Sequence, residues 1–296
     1  MEPLQNLLHS DTPILLDGAM GTMLMDAGLD HGDAPEAWNT LHPERVRKIH
    51  RQYIKAGSQI ILTNSFGGTS YRLAMHNLND RVFELNKAAA ENARTEADAA
   101  SRTVWIAGSM GPTGQMMEPL GEIRFEDVRD AYAEQASGLE AGGVDLFWIE
   151  TMSDLHEVKA AVAGIRRVSQ LPISATMSFD THGHTMMGVS PTRAVEELEQ
   201  LDLVSVGANC GTGSDELIQV ISTMQETDPD LPLVAKANAG IPEVVDGSVV
   251  YNGTPDLMAD YAREVYHRGA KLIGACCGST PEHIQAMAEA LKEMDK

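Results

Sequence analysis

Three residues carry the most pointed chemistry in this sequence: Cys210, Cys276 and Cys277, the only cysteines of the chain. Cys276 and Cys277 are adjacent, and neighbouring cysteines rarely pair with each other, so a third partner or a metal ion is the immediate question. Both positions are flanked by glycine, in Gly207–Gly213 (Gly-Ala-Asn-Cys-Gly-Thr-Gly) and Gly274–Gly278 (Gly-Ala-Cys-Cys-Gly). Glycine lets a strand end turn sharply, so that even two consecutive side chains can face one point. Zinc takes thiolates readily, and a catalytic zinc site has three protein ligands and one open position. Free cysteine is also a commonly buried residue, and spacing alone leaves ligation and burial both open. A zinc ion held by three thiolates carries a formal charge of −1. It is a weak Lewis acid toward water and better suited to hold a fourth sulfur, whose thiol it would deliver as a thiolate at neutral pH. The implied chemistry is attack of a substrate thiol on an activated carbon, with methyl transfer the simplest case.

The elements that must position these thiols follow from the hydrophobic pattern. Short apolar runs at 14–16, 59–63, 104–107, 146–149, 173–177, 203–207, 231–235 and 271–274 alternate with helix-like segments at 43–56, 78–99, 125–141, 155–168, 191–199, 215–227, 255–267 and 281–294. Ser190-Pro191, Thr254-Pro255 and Thr280-Pro281 each set a capping hydroxyl before a first-turn proline. Eight strands alternating with eight helices predict a single (β/α)8 TIM-type barrel over residues 1–296, with a doubly wound open sheet as the alternative. In a barrel, chemistry belongs at the C-terminal ends of the strands. There the sequence places Asp17-Gly18-Ala19, Asn64–Gly68, the Gly/Met-rich stretch 108–117, Glu150 and all three cysteines.

Composition narrows the partners. The chain has 296 residues, with 22 Lys and Arg against 43 Asp and Glu, a formal net charge of −21. Such a balance argues against nucleic acid or an anionic membrane surface as the main partner. No apolar run approaches the ~18 residues of a membrane span, and the start of the chain lacks the basic and apolar regions of a secretory leader. With few cysteines, the expectation is a cytoplasmic chain without a disulfide framework. The sequence leaves the oligomeric state open.

Leu16–Thr22 (Leu-Asp-Gly-Ala-Met-Gly-Thr), Gly207–Gly213 and Gly274–Ile284 (Gly-Ala-Cys-Cys-Gly-Ser-Thr-Pro-Glu-His-Ile) resemble the zinc-dependent homocysteine S-methyltransferases. The resemblance covers nearly the whole chain. Asp33–Asn39, Gly108–Gly114, Thr176–Asp180, Thr185–Val189 and Asn238–Pro242 look most like the short bacterial betaine–homocysteine methyltransferases. It implies a (β/α)8 barrel, zinc on Cys210, Cys276 and Cys277, and methyl transfer from betaine to homocysteine, giving dimethylglycine and methionine. S-methylmethionine or a methylated corrinoid protein is the alternative donor, and a zinc- or thiol-binding protein without turnover the non-enzymatic one. The resemblance also implies that Asp17, Gly18 and Ala19 receive the amino-acid head group of homocysteine, and that Glu150 takes its ammonium. A quaternary ammonium is held by aromatic faces, which makes Trp38 the expected donor contact. Animal betaine enzymes add tyrosines near the positions of Gly67 and Thr151, and this sequence lacks both. Asn238 is a candidate to offer zinc an oxygen when no substrate thiol is bound, with a plain Asn-Ala-Gly loop as the alternative. His182 and His184 read as a solvated loop.

Overall fold

The computed structural model describes residues 4–8, 10, 12–245 and 248–294. The first three residues, part of the segment read above for a leader, lie outside them. Eight parallel strands form one sheet: β1 (Ile14–Leu15), β2 (Ile60–Leu62), β3 (Trp105–Met110), β4 (Leu146–Met152), β5 (Ile173–Met177), β6 (Ser205–Cys210), β7 (Leu233–Ala237) and, after a hairpin of β8 (Pro242–Val245) and β9 (Ser248–Tyr251), β10 (Ala270–Ala275). Their order, β1-β10-β7-β6-β5-β4-β3-β2, follows the chain around the sheet without a reversal, which is the barrel and not the doubly wound alternative. Where β1 meets β2, Gln59 makes the closure. Its N–H donates to the Leu15 carbonyl (2.7 Å), its side-chain oxygen accepts from the Leu15 N–H (2.9 Å), and its own carbonyl accepts from Trp105 (2.9 Å).

Strands of such a sheet are covered on both faces, which is why they read as apolar runs. Their outer face packs on the ring of helices, through residues such as Ile61, Ile106, Phe147 and Ile273. Their inner face fills the barrel in two zones. At the N-terminal end Ile14, Leu16, Ile60, Leu62, Trp105, Leu146, Trp148, Val234 and Leu272 form one apolar cluster, closed by Leu4 and Leu8 of the short first helix. Two residues further along the same face, Trp148, Val234 and Leu272 give way to Glu150, Lys236 and Gly274, and on β3 Ala107 gives way to Ser109, all near the C-terminal rim. The barrel interior is mostly apolar below, apart from the hydrogen-bonded pair Ser174 and Ser205, and polar above.

Five strand ends run further than their apolar runs: the third reaches Met110, the fourth Met152 and the eighth Ala275, past runs that end at 107, 149 and 274. The expected sixth strand, 203–207, is observed over Ser205–Cys210, and the seventh, 231–235, over Leu233–Ala237. Inward polar residues, Asn209 and Lys236, ended the apolar signal before the strand ended. The β8–β9 hairpin was not expected, although Asp246-Gly247 between valine pairs is a hairpin signal.

Candidate active site

A cavity of about 370 Å³ opens at the C-terminal rim, and Asp17, Gly18, Ala19, Glu150, Cys210, Cys276 and Cys277 all line it. The three sulfurs lie within 4.8 Å of one another. Cys276 continues the inward register of Leu272 and Gly274 on β10, and its Sγ is 2.8 Å from that of Cys210. Cys210 follows the inward Asn209 and would face outward in a regular strand. Its left-handed backbone, φ 59°, turns it to the cluster, a conformation a non-glycine residue holds only when its surroundings impose it. Those surroundings are visible. Asn209 donates to Cys210 Sγ (3.4 Å) and to Thr151 Oγ1 (2.7 Å), and accepts from Thr151 N–H (2.8 Å) and Thr176 Oγ1 (2.6 Å). Thr151, at the end of β4, is also left-handed, φ 61°. One buried amide thus fixes two strained strand ends.

Cys277 is held by Asn238, whose Oδ1 accepts from the Cys277 N–H (3.1 Å) while its Nδ2 donates to the Gly211 carbonyl (2.9 Å). Both ends of the Asn238 amide are therefore engaged in joining the two cysteine loops, and Asn238 does not line the cavity. Tyr251, carried by β9, lies beside the cysteine cluster, and its hydroxyl pKa is pushed up by burial and by the neighbouring Cys277. The thiols share their protons: hydrogen bonds from Cys210 and Cys276 hold Cys277 far below the usual thiol range, while Cys210 and Cys276 are pushed up. A second or third thiolate here needs a cation. Zinc–sulfur bonds of about 2.3 Å place tetrahedral ligand sulfurs about 3.8 Å apart, so this donor set fits such an ion in chemistry, with the 2.8 Å Cys210–Cys276 pair opening by about 1 Å to receive it.

Beside the sulfurs lies a charge arrangement centred on a residue the sequence reading passed over. Lys236 is 3% exposed, and its Nζ pairs with Asp17 Oδ1 at 3.2 Å. Asp17 Oδ2 accepts from the Leu62 N–H at 2.7 Å, so Asp17 also ties β1 to β2. Glu150 accepts from Ser109 Oγ at 2.5 Å, and its Oε2 accepts no hydrogen bond from the described residues. Burial pushes both carboxyls up, and the Lys236 ammonium pulls both back down. Two carboxylates around one lysine leave one negative charge unbalanced at the cavity wall. A ligand ammonium would neutralise it. Gly274 lets the end of the first strand approach β10, because a Cβ there would crowd Leu16 and the Asp17 carbonyl. The clue in the sequence was a lysine one residue beyond an apolar run, at an inward position.

The first-strand loop is laced to the last. Ala19 N–H donates to Ser279 Oγ (2.9 Å), and the Ala19 carbonyl accepts from Tyr53 (2.7 Å). Ala19 N–H is thus already engaged, whereas Gly18 N–H meets no acceptor among the described residues. Gly18 must be glycine, since a Cβ would strike Ser279 Oγ and the Tyr53 ring.

Trp38 is not brought to the cavity. It is 6% exposed in the core, with His42 edge-on at 4.8 Å and the Arg45 guanidinium 4.9 Å over its ring. Its neighbours Pro35 and Glu36 line the cavity instead, with Phe66, Gly67, Arg72 and His76. His182 and His184 sit in a short turn, His184 Nδ1 lying 3.2 Å from the His182 carbonyl.

Residues 14–291 match the family model for homocysteine S-methyltransferase. This chain belongs to the homocysteine S-methyltransferase family. Members of this family transfer a methyl group to homocysteine. The chain is 33% identical to a methionine synthase of Mycobacterium leprae over 290 residues, 93% of this chain and 24% of that protein. A methionine synthase of Mycobacterium tuberculosis is likewise 33% identical over 295 residues, 95% of this chain and 25% of that protein. The chain spans about a quarter of the length of these relatives. Among solved structures, the metallated form of the homocysteine methyltransferase MmuM from Escherichia coli superposes with a TM-score of 0.82 at 25% identity, covering 97% of this chain and 99% of that one. A methyltransferase from Methanosarcina mazei, 10% identical with a TM-score of 0.63, shares the fold. The homocysteine methyltransferase fold here thus extends over nearly the whole chain.

Proposed function

We propose that this chain is a zinc-dependent enzyme that transfers a methyl group from betaine to homocysteine, giving methionine and dimethylglycine. The observation that carries this reading is the convergence of three thiols within 4.8 Å beside the Asp17–Lys236–Glu150 group on one cavity wall. Cys210, Cys276 and Cys277 would hold zinc. Bound there, zinc supplies an open position that lowers the pKa of a substrate thiol and presents it as a thiolate. The metallated form of MmuM supports this assignment. Glu150 Oε2 receives the homocysteine ammonium, which balances the extra carboxylate charge beside Lys236. Gly18 N–H receives the homocysteine carboxylate, a role supported by its position on the cavity wall. Holding sulfur and methyl carbon in line turns a bimolecular displacement into a reaction within one complex. The sulfur electron pair forms the S–C bond, the C–N bond breaks, and its pair remains on nitrogen as a neutral tertiary amine.

A second reading, with the methyl coming from a methylated corrinoid protein, draws on the likeness to methionine synthases. A collar of exposed apolar residues on the rim loops, Phe66, Met75, Met116, Leu120, Met186 and Ile241, would suit a docked protein. The deciding experiment is turnover of homocysteine by zinc-loaded protein with betaine, S-methylmethionine and a methylated corrinoid protein in parallel, with metal content measured. Betaine-dependent methionine formation and about one zinc per chain, lost in the triple Cys→Ala variant, are expected. Brisk turnover with the corrinoid protein alone would replace betaine and keep the metal assignment.

A further inference from the structure

The outer half of the cavity contains an unusual arginine. The chain has an excess of acid, and every other arginine in the described residues donates at least one side-chain hydrogen bond or sits in an ion pair. Arg72 does neither among the described residues, yet it lines the cavity. It projects from the helix Ser70–Ala74, which begins on Thr69, and its guanidinium lies over Gly114, where a Cβ would come within 3.3 Å of Nη1. The arginine thus bridges the loops that follow β2 and β3.

Across the same half stands Glu36, 5% exposed and fixed by the Gly67 N–H on Oε1 (2.6 Å). Phe66 adds an aromatic ring seated on Gly111, where no side chain would fit beneath it. A carboxylate and an aromatic ring attract an onium group, and a planar guanidinium that makes no hydrogen bond, and feels the Glu36 carboxylate only through longer-range attraction, matches a ligand carboxylate. A ligand carrying both charges a few bonds apart satisfies all three residues together.

We propose that Arg72 is the specificity-determining residue for the methyl donor, gripping its carboxylate while Glu36 and Phe66 flank its methylated cation. The donor class is a small onium carboxylate. This rests on the reading that a small molecule supplies the methyl group, and it assigns the donor carboxylate to a residue at a definite place on the rim.

The test uses zinc-loaded protein, Arg72→Gln and Arg72→Lys, with betaine, dimethylsulfonioacetate and the carboxylate-free trimethylsulfonium ion as donors. Arg72→Gln should raise the KM of both zwitterions roughly 30-fold, leaving homocysteine KM, saturated kcat and zinc content unchanged. Arg72→Lys should fall between, because an ammonium keeps the charge but not the fork. With trimethylsulfonium, wild type and variants should be alike. Zwitterion KM values within twofold of wild type, or an equal loss with trimethylsulfonium, would overturn the assignment. Calorimetry with dimethylglycine separates this proposal from the choice of donor. Binding to wild type that Arg72→Gln abolishes supports the grip even if the working donor is a corrinoid protein, and binding that is absent or equal in both overturns it.

Discussion

The two halves of the cavity are built in opposite ways. In the inner half nearly every polar atom is spoken for. Asp17 uses both oxygens, Lys236 is enclosed, Asn209 makes four hydrogen bonds, and Asn238 uses both ends of its amide. In the outer half Arg72 makes no side-chain hydrogen bond or close ion pair among the described residues, Phe66 is 36% exposed, and the loops around it expose methionine and leucine. A cross-bonded wall holds its geometry before a ligand arrives, which is where electrostatic preorganisation is most effective. An open wall lets the ligand complete the bonding. On the proposed function, the fixed half is the homocysteine side and the open half the donor side, where members of one family can differ without disturbing the sulfur site.

The hardest blow to the inner half is removal of its one cation. Lys236→Met keeps the length of the side chain and leaves Asp17 and Glu150 buried without their counter-charge. Breaking a buried pair this way costs about 3–5 kcal/mol, so denaturant unfolding should show a loss of that size, and homocysteine binding should weaken because the surviving carboxylates hold protons instead. Stability within about 1 kcal/mol of wild type would mean that Lys236 is not the keystone of the wall.

A smaller and more selective break is Glu150→Gln. Losing a charge-assisted bond at a desolvated site costs about 2–3 kcal/mol, or roughly a 30- to 150-fold rise in homocysteine KM. Burial raises the Glu150 carboxyl above the ordinary glutamate range. The protonated form cannot accept the ammonium proton, so homocysteine affinity should fall as pH drops through that raised pKa. A KM profile against pH should lose this acid limb in the Gln variant, with zinc content unchanged. An identical profile in both proteins would remove Glu150 from head-group recognition.

How much of this was legible in the sequence follows the same division. The barrel was readable because strands covered on both faces appear as apolar runs, and the rim was readable because glycines and cysteines gather where those runs end. Lys236 and Asn209 were missed for the converse reason: an inward polar residue near a strand end looks like the end of the strand. Asn238 had the right chemistry at the right rim, but pairing of its amide with Gly211 and Cys277 is a tertiary fact. Arg72, on the short helix after β2, and Glu36, in the 3-10 turn Pro35–Ala37 after β1, have no spacing that joins them, and only the closure of the barrel brings them to one cavity.

The mildest test falls on Trp38, which has the residue type for an onium site but stands behind the outer wall. Its ring is covered by Arg45 and meets His42 at its edge, so the face that would receive a trimethylammonium already holds a guanidinium. Trp38→Phe keeps an aromatic ring there and removes volume from a packed site, which costs about 1–2 kcal/mol from packing and the weaker cation–π contact. The loss should appear as a lower unfolding midpoint, with betaine KM within twofold of wild type. A donor-specific rise instead, with stability intact, would show that Trp38 reaches the donor after all, and the outer wall would then be one layer deeper than its lining residues suggest. Glu36, two residues before Trp38 and on the cavity surface, connects the outcomes: if Trp38 acts on the donor only by holding Glu36 in place, Glu36→Gln should reproduce the same donor-specific rise without the loss of stability.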